Sequence, residues 1–535
     1  MTSSPTADGP SDRISVAQKV APAVPVRTLQ ATLMRSEPDL RVPIRRPADA
    51  LPDRGGVAVA ASASLGGNLG PLQTWLRTYP YSCLEQKVSV AVGLGDEARW
   101  REVTAALPSY ADGDGLLKYF PTMSTGSDVL TAYVLAISNA AGWALPASVQ
   151  DGMIGGLRAF VDGSIQRDSA LATPDLVLRK LAAVAALARV GHAEPAMLDS
   201  IPIEPNLWPT SAVLDWWSIL QRMPELPERD ARLQAVEQIV HARLNLQGTT
   251  MGFSTERNDT LFWLMAGPDT NALRLILHLI DFGLWRDDVP KLVRGALGRQ
   301  QQGTWQTTVA DAWGAVTMRR FSATFEAAPV TGTTTLALGD ATQRLDWTTA
   351  PAPVELPWPA APADLTITHA GSGEPWLTVS SRAAIPLAAP LSSGYRITKT
   401  VTPIEPRVAG QLSVGDRLRV RLAVDTQSDM TWVVVNDPIP AGASHLGTGL
   451  ASDSQIVVGD ANKNEEEAAI PAFVERRFDA YVAYYDFLAK GPLVTEYVIR
   501  LNQSGRFELP PTRVEALYAP EMFGEIPNSA VEVQP

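Results

Sequence analysis

One cysteine in 535 residues excludes an intrachain disulfide, so the fold must stand on packing alone and the redox compartment cannot be read from cysteine pairing. Histidine is also scarce, at five residues, and charged residues make up only 19% of the chain. The net charge of −12 is dispersed, with one short acidic run at Glu465-Glu466-Glu467. Nothing is basic enough to attract nucleic acid. No apolar run approaches the length needed to span a bilayer. The opening residues 1–10 lack a charged region followed by an apolar stretch, so no signal peptide is expected there. What remains is 45% hydrophobic and too long for one core, which points to about two to four globular domains.

The lone cysteine lies in Tyr79-Pro80-Tyr81-Ser82-Cys83-Leu84-Glu85-Gln86. Cys83 stands three residues ahead of a primary carboxamide, on a turn that runs into the helix-like Lys87–Val92. At that spacing the sulfur can reach the side-chain carbonyl carbon of Gln86. Attack there with loss of ammonia leaves an internal thioester. Glutamine supplies the acyl carbon, and sulfur is both nucleophile and leaving group at neutral pH. The competing interpretation is a small, inert, buried thiol. A thioester open to water would be wasted, and Trp75, Tyr79 and Tyr81 are close enough upstream to lay rings over it. Glu85 either hydrogen-bonds backbone groups around that ring or faces solvent.

Three textures follow one another along the chain. Residues 1–10 are expected to be disordered, and residues 11–68 hold short β-like runs such as Val57–Ala60. From 69 to about 320 the pattern is helical. Thr173-Pro174-Asp175 opens Leu176–Val190, in which Leu178, Leu181, Val184 and Ala188 form one buried stripe. From 321 onward the pattern is β: Leu418, Val420, Leu422 and Val424 alternate with Arg417, Arg419 and Arg421. Within the helical part, Trp208-Pro209-Thr210, Phe253-Ser254-Thr255 and Trp305-Gln306-Thr307 form a faint repeat, with Asp259 and Asp311 six residues after the last two aromatics. Units of this length suit pairs of helices closed into an α/α toroid. The β runs at 11–68 and 321–389 are each awkward alone and are read as halves of one β-sandwich with the toroid inserted between them. Residues 390–535 form a separate sandwich.

The octet resembles the thioester motif of the alpha-2-macroglobulin family in its bacterial form, with Ser82 and Leu84 where vertebrate members carry glycines. The stretch from Phe507 to Gly524 resembles the end of the terminal macroglobulin domain. The resemblance implies a CUB-type domain split by a thioester domain, then a macroglobulin-like sandwich. It also implies that this is the C-terminal part of a longer protein whose earlier macroglobulin domains and bait segment lie upstream. Tyr79 matches the aromatic lid four residues before the cysteine. The family's acyl-accepting histidine precedes a Thr-Ala-Phe-like helix, and the corresponding stretch, 114–133, contains no histidine. Direct attack by lysine amines is therefore expected, in preference to hydroxyls.

The expected function is covalent, single-use capture of proteases through lysine amines, by an inhibitor and not an enzyme. The resemblance places it in the periplasm or cell envelope, with no cofactor and no metal. Two rival classes remain at this stage. An α/α toroid could be a carbohydrate-active hydrolase or lyase, for which Asp112, Asp114, Glu256 and Asp259 are candidate carboxylates without a recognisable spacing. A thioester adhesin would bond to host amines.

Overall fold

A computed structural model describes residues 22–36, 40–67, 69–254, 259–326, 329–447 and 470–535. The expected disorder at 1–10, the candidate Glu256 and the acidic run at 465–467 fall outside the described residues. The described residues divide into two compact units: those of 26–385 with 516–521, and those of 386–515 with 522–535 and 22–25.

The first unit contains eleven α-helices among the described residues: α1 (Gly70–Arg77), α2 (Leu84–Leu94), α3 (Glu97–Tyr110), α4 (Asp128–Ala141), α5 (Ala147–Asp162), α6 (Leu176–Arg189), α7 (Thr210–Arg222), α8 (Arg229–Arg243), α9 (Pro268–Phe282), α10 (Val289–Leu297) and α11 (Thr308–Phe325). Six of them close a ring. α2 packs on α4, α4 on α6, α6 on α7, α7 on α9, α9 on α11, and α11 returns to α2. These inner helices are apolar nearly all round, as wholly enclosed helices must be. In α7 every residue from Thr210 to Leu220 is buried, whereas the outer α8 buries only Val236 and Val240.

Two of the three aromatic-x-Thr positions mark helix starts, and Phe253 of the middle one ends a strand, Thr250–Phe253. Thr307 caps α11 by accepting from the Ala310 amide at 3.1 Å, and Thr210 opens α7. The two aspartates close the turns: Asp259 accepts from the Thr210 amide at 2.8 Å and Asp311 from the Trp305 amide at 2.9 Å. The Trp305 ring lies against Gly314 of α11, where a Cβ would stand 2.2 Å from ring carbon. Thr255 of the middle unit lies outside the described residues.

Strands from both flanks of the helical block share two sheets. β1 (Arg27–Arg35) and β3 (Gly55–Ser62), from before it, pair with β10 (Trp376–Ala383), from after it, and β8 (Val354–Leu356) completes the order β1-β10-β3-β8. In the facing sheet, β2 (Leu40–Ile44) pairs with β9 (Ala363–Ala370), followed by β6 (Thr333–Leu338) and β7 (Ala341–Asp346). The inward residues Val57, Val59, Leu336, Leu365, Ile367, Leu377 and Val379 form their common core. Gly55 has φ +105° and faces the Arg382 carbonyl so closely that a Cβ would sit 1.9 Å from its oxygen. It therefore lies within a strand and not in a turn before one. A hairpin, β4 (Leu244–Gln247) and β5 (Thr250–Phe253), crosses the outer face at α10.

The second unit is all β. One sheet follows the order β11 (Leu391–Ser393), β21 (Ala519–Ile526), β20 (Thr512–Ala516), β14 (Met430–Pro438), β17 (Ala480–Leu488), β16 (Phe473–Arg476). The other is β12 (Tyr395–Ile404), β13 (Arg417–Thr426), β18 (Gly491–Leu501), β15 (Ala443–His445), and β19 (Gly505–Phe507) pairs with β22 (Val531–Val533). In β13 the leucines and valines are buried, and Arg417 and Arg421 point outward.

Candidate thioester site

The site is built by the start of α2. Cys83 has the extended backbone of an N-cap (φ −63°, ψ 166°), and Gln86 is the third residue of the helix. The two form a reciprocal capping box, in which each side chain turns towards the other's backbone amide. Gln86 Oε1 accepts from the Cys83 N–H at 3.2 Å. Capping boxes are usually built from Ser or Thr with Glu or Gln; with cysteine at the cap, the same geometry brings a sulfur beside a carboxamide. The Leu84 amide donates to the Tyr119 carbonyl at 2.9 Å, which fixes the entry to the helix.

Cys83, Glu85 and Gln86 are all fully buried. Gln86 Nε2 donates to the Tyr79 hydroxyl at 3.2 Å. Tyr79 sits between two other rings, with centroids 4.8 Å from Trp75 and 5.5 Å from Tyr81, the latter edge-on. The three upstream aromatics thus form one stack, and its middle member touches the carboxamide.

Glu85 neither bonds the backbone nor meets solvent. Its carboxyl is enclosed by side-chain hydroxyls: Ser89 donates at 2.5 Å, Thr308 of α11 at 2.9 and 3.1 Å, and Tyr518 at 3.0 Å. Tyr518 lies in the 516–521 segment that belongs to this unit. Since Ser89 gives its proton to Glu85, Tyr133 is the donor in the 2.6 Å contact between their hydroxyls. The Tyr518 hydroxyl is also hydrogen-bonded to that of Tyr119. Ser89 is one turn from Glu85 and could be anticipated from spacing. Tyr119, Tyr133, Thr308 and Tyr518 carried no sequence signal.

Burial dominates the electrostatics. It pushes the Cys83 thiol well above 9.0, helped by the neighbouring Glu85 and opposed by the amides of Gln86 and Glu85. It also raises Glu85 above 4.5, against the pull of Ser89, Thr308 and Tyr518. The hydroxyls of Tyr119, Tyr133 and Tyr518 are pushed up for the same reason. Burial thus disfavours the charged forms of all these groups.

The carboxylate candidates among the described residues, Asp112, Asp114 and Asp259, are in structural use. Burial pushes Asp112 upward, but the Gly126 amide, Arg167 and two further amides outweigh it and hold Asp112 low. Arg167 bridges Asp112 and Asp114 at 2.7 Å each, and Asp259 holds the start of α7. No acid–base pair is assembled there. Among the described residues, no group of His, Cys, Asp and Glu has the arrangement of a metal site. No helix among them is long and apolar enough to cross a membrane.

Residues 394–521 match the bacterial alpha-2-macroglobulin MG10 domain. The chain is 21% identical over 434 residues to an alpha-2-macroglobulin homolog of Nostoc, covering 77% of this chain and 22% of that protein. It is 28% identical over 164 residues to an alpha-2-macroglobulin of Xylella fastidiosa, covering 29% of this chain and 10% of the relative. The chain therefore spans about a fifth or less of the curated relatives it matches. Its fold is similar to native Escherichia coli alpha-2-macroglobulin from domain MG7 to the C-terminus, with TM-score 0.72, 18% identity, and coverage of 96% of this chain and 83% of that one. It is also similar to a Salmonella alpha-2-macroglobulin reacted with methylamine, with TM-score 0.71, 19% identity, and coverage of 96% and 34%. The octet at Cys83, the MG10 match over residues 394–521 and an α/α toroid set into a β-sandwich together make the chain similar to the bacterial alpha-2-macroglobulins.

Proposed function

We propose that Cys83 and Gln86 form an internal thioester that captures proteases by acylating their lysine amines. The observation that carries this reading is the buried Cys83–Gln86 capping box. In the forming step, Cys83 Sγ bonds to Gln86 Cδ, the Cδ–Nε2 bond breaks, and the thiol proton leaves with ammonia. The Cys83 N–H already donates to Oε1, where negative charge develops in the tetrahedral intermediate. Tyr79 touches Nε2, the departing nitrogen, and can hand it a proton. In the capture step an amine nitrogen bonds to Cδ, the Cδ–Sγ bond breaks, and the amine proton goes to sulfur. The products are an amide at residue 86 and a free Cys83 thiol. Each molecule acts once, so the protein is an inhibitor without turnover.

Trp75, Tyr79 and Tyr81 shield the acyl carbon until capture, and Glu85 with its three hydroxyl donors holds the floor of the chamber. In this reading, residues 69–320 are the thioester domain set within a CUB-type domain (11–68 and 321–389), and 390–535 the terminal macroglobulin domain. α11 carries the helical part to Phe325. Further macroglobulin and bait segments of the whole protein supply the trigger, in the periplasm or cell envelope. The Salmonella relative reacted with methylamine supports an amine-directed thioester in this family. Among the described residues, no histidine hydrogen-bonds to the site, which favours amines over hydroxyls. Native protein should be lighter than its sequence by one ammonia, gain one methylamine on treatment, and release one thiol in step. Labelling by glycerol as efficient as by methylamine would overturn the amine preference.

A further inference from the structure

The inner helices α4, α6, α7, α9 and α11, with residues 264–266, line a half-open central cavity of about 100 Å³. It stays open because the facing positions are small: Ala132 and Ala136 on α4, Ala182, Ala185 and Ala186 on α6, Ala212 on α7. An indole, Trp313, forms one wall. Three charged groups on the lining are matched. Arg179 is paired with Asp128 at 2.6 Å and Asp175 at 3.7 Å, and Arg274 with Asp215.

Arg189, at the end of α6, is different. Among the described residues it forms no ion pair, and its guanidinium lies 5.6 Å from the Trp313 ring centroid. Its electrostatic neighbours are Arg222 and Arg274, with Asp215 and Asp281 opposing them. Asp215 is held by Arg274, and Asp281 pairs with Arg320 at 3.3 Å. Arg222 spends its guanidinium on the Ser218 hydroxyl at 3.0 Å and the Phe282 ring. Beyond Arg222, buried His278 has an Nε2 without a hydrogen-bond partner. Among the described residues, Arg189 and Arg222 both lack a carboxylate ion-pair partner, and of the two only Arg189 lines the cavity. Burial, and then Arg222 and Arg274, push Arg189 down to about 9, as expected where a counter-charge is wanted and not supplied by the fold.

We propose that the central cavity of the toroid binds a small aliphatic monocarboxylate, its carboxylate on Arg189 and its tail among the alanines and Trp313. A guanidinium fork matches a carboxylate in two parallel hydrogen bonds. Alanine methyls and an indole suit a short hydrocarbon tail. Asp215 on the same lining disfavours a dianion. The site does not depend on the thioester.

Calorimetric titration of the whole chain with sodium butyrate tests this, with butylammonium and inorganic phosphate as controls. Saturable butyrate binding is expected, with neither control binding. Arg189→Met should weaken it at least about tenfold, the loss of a charge-assisted bond. Ala186→Leu, which fills the cavity and keeps the charge, should weaken it as well. Cys83→Ala should bind butyrate unchanged, which separates this site from the thioester. No saturable binding, butyrate binding equal in Arg189→Met, or phosphate binding as tight as butyrate would each overturn the assignment.

Discussion

Tyr79→Ala is expected to leave a protein whose thioester is lost to water far faster than in the parent. Tyr79 is the middle ring of the Trp75–Tyr79–Tyr81 stack and the residue that touches the Gln86 carboxamide. Each aromatic pair contributes about 0.5–1.5 kcal/mol beyond the area it buries. Removing both pairs costs the closed shield about 1–3 kcal/mol, which raises the open fraction by roughly 5- to 150-fold. Hydrolysis should accelerate by that factor, followed as the loss of methylamine-labelling capacity with time. Tyr79→Phe separates two roles. It keeps the ring, so the formed thioester should survive as in the parent. It lacks the hydroxyl beside the departing nitrogen, so formation should slow. A thioester equally long-lived in Tyr79→Ala would place the shield elsewhere.

Glu85→Ala is expected to be the most destabilising single change at the site. It removes the carboxyl acceptor shared by the hydroxyls of Ser89, Thr308 and Tyr518 inside a fully buried chamber. Each buried unsatisfied group costs about 1–3 kcal/mol, and the vacated space admits water that relieves part of that, so a loss of about 3–5 kcal/mol is expected in denaturant unfolding. Glu85→Gln keeps the shape and the acceptor and should cost about 1 kcal/mol. The two also differ in pH dependence. Burial raises the folded pKa of Glu85 above its ordinary 4.5, so ionisation works against the fold. Its contribution to stability is complete below that value and is lost as pH rises through the higher folded pKa. Glu85→Gln has no proton to lose and should flatten that part of the profile. An unchanged slope would mean that Glu85 does not titrate as its burial implies.

The juxtaposition of Cys83 and Gln86 was legible because it is local. A thiol and a carboxamide three residues apart at a helix start meet through backbone geometry that one helical turn supplies. The same holds for the first and third aromatic-x-Thr positions, which are helix starts, held by Asp259 from the middle unit and by Asp311. Glu85 resisted, because a carboxylate in a helix's first turn ordinarily faces water. Its burial depends on Thr308, 223 residues away, and Tyr518, 433 residues away, and no spacing rule reaches across such separations. The two-part sandwich could be inferred from two β segments that were incomplete alone. Its register, Val59 opposite Val379, could not. Arg189 likewise reads in sequence as the basic last turn of a helix, and only the closed ring shows that, among the described residues, it forms no ion pair.

The most direct test of the central claim is peptide mapping of unheated, native protein. The protein is alkylated at thiols first, then treated with isotope-labelled methylamine and alkylated again with a second reagent. The expected result is no first-round alkylation at Cys83, the labelled amide at residue 86, and second-round alkylation at Cys83 in equal amount. A Cys83 that takes the first reagent in full under denaturing quench, with residue 86 remaining an unlabelled glutamine, would contradict it.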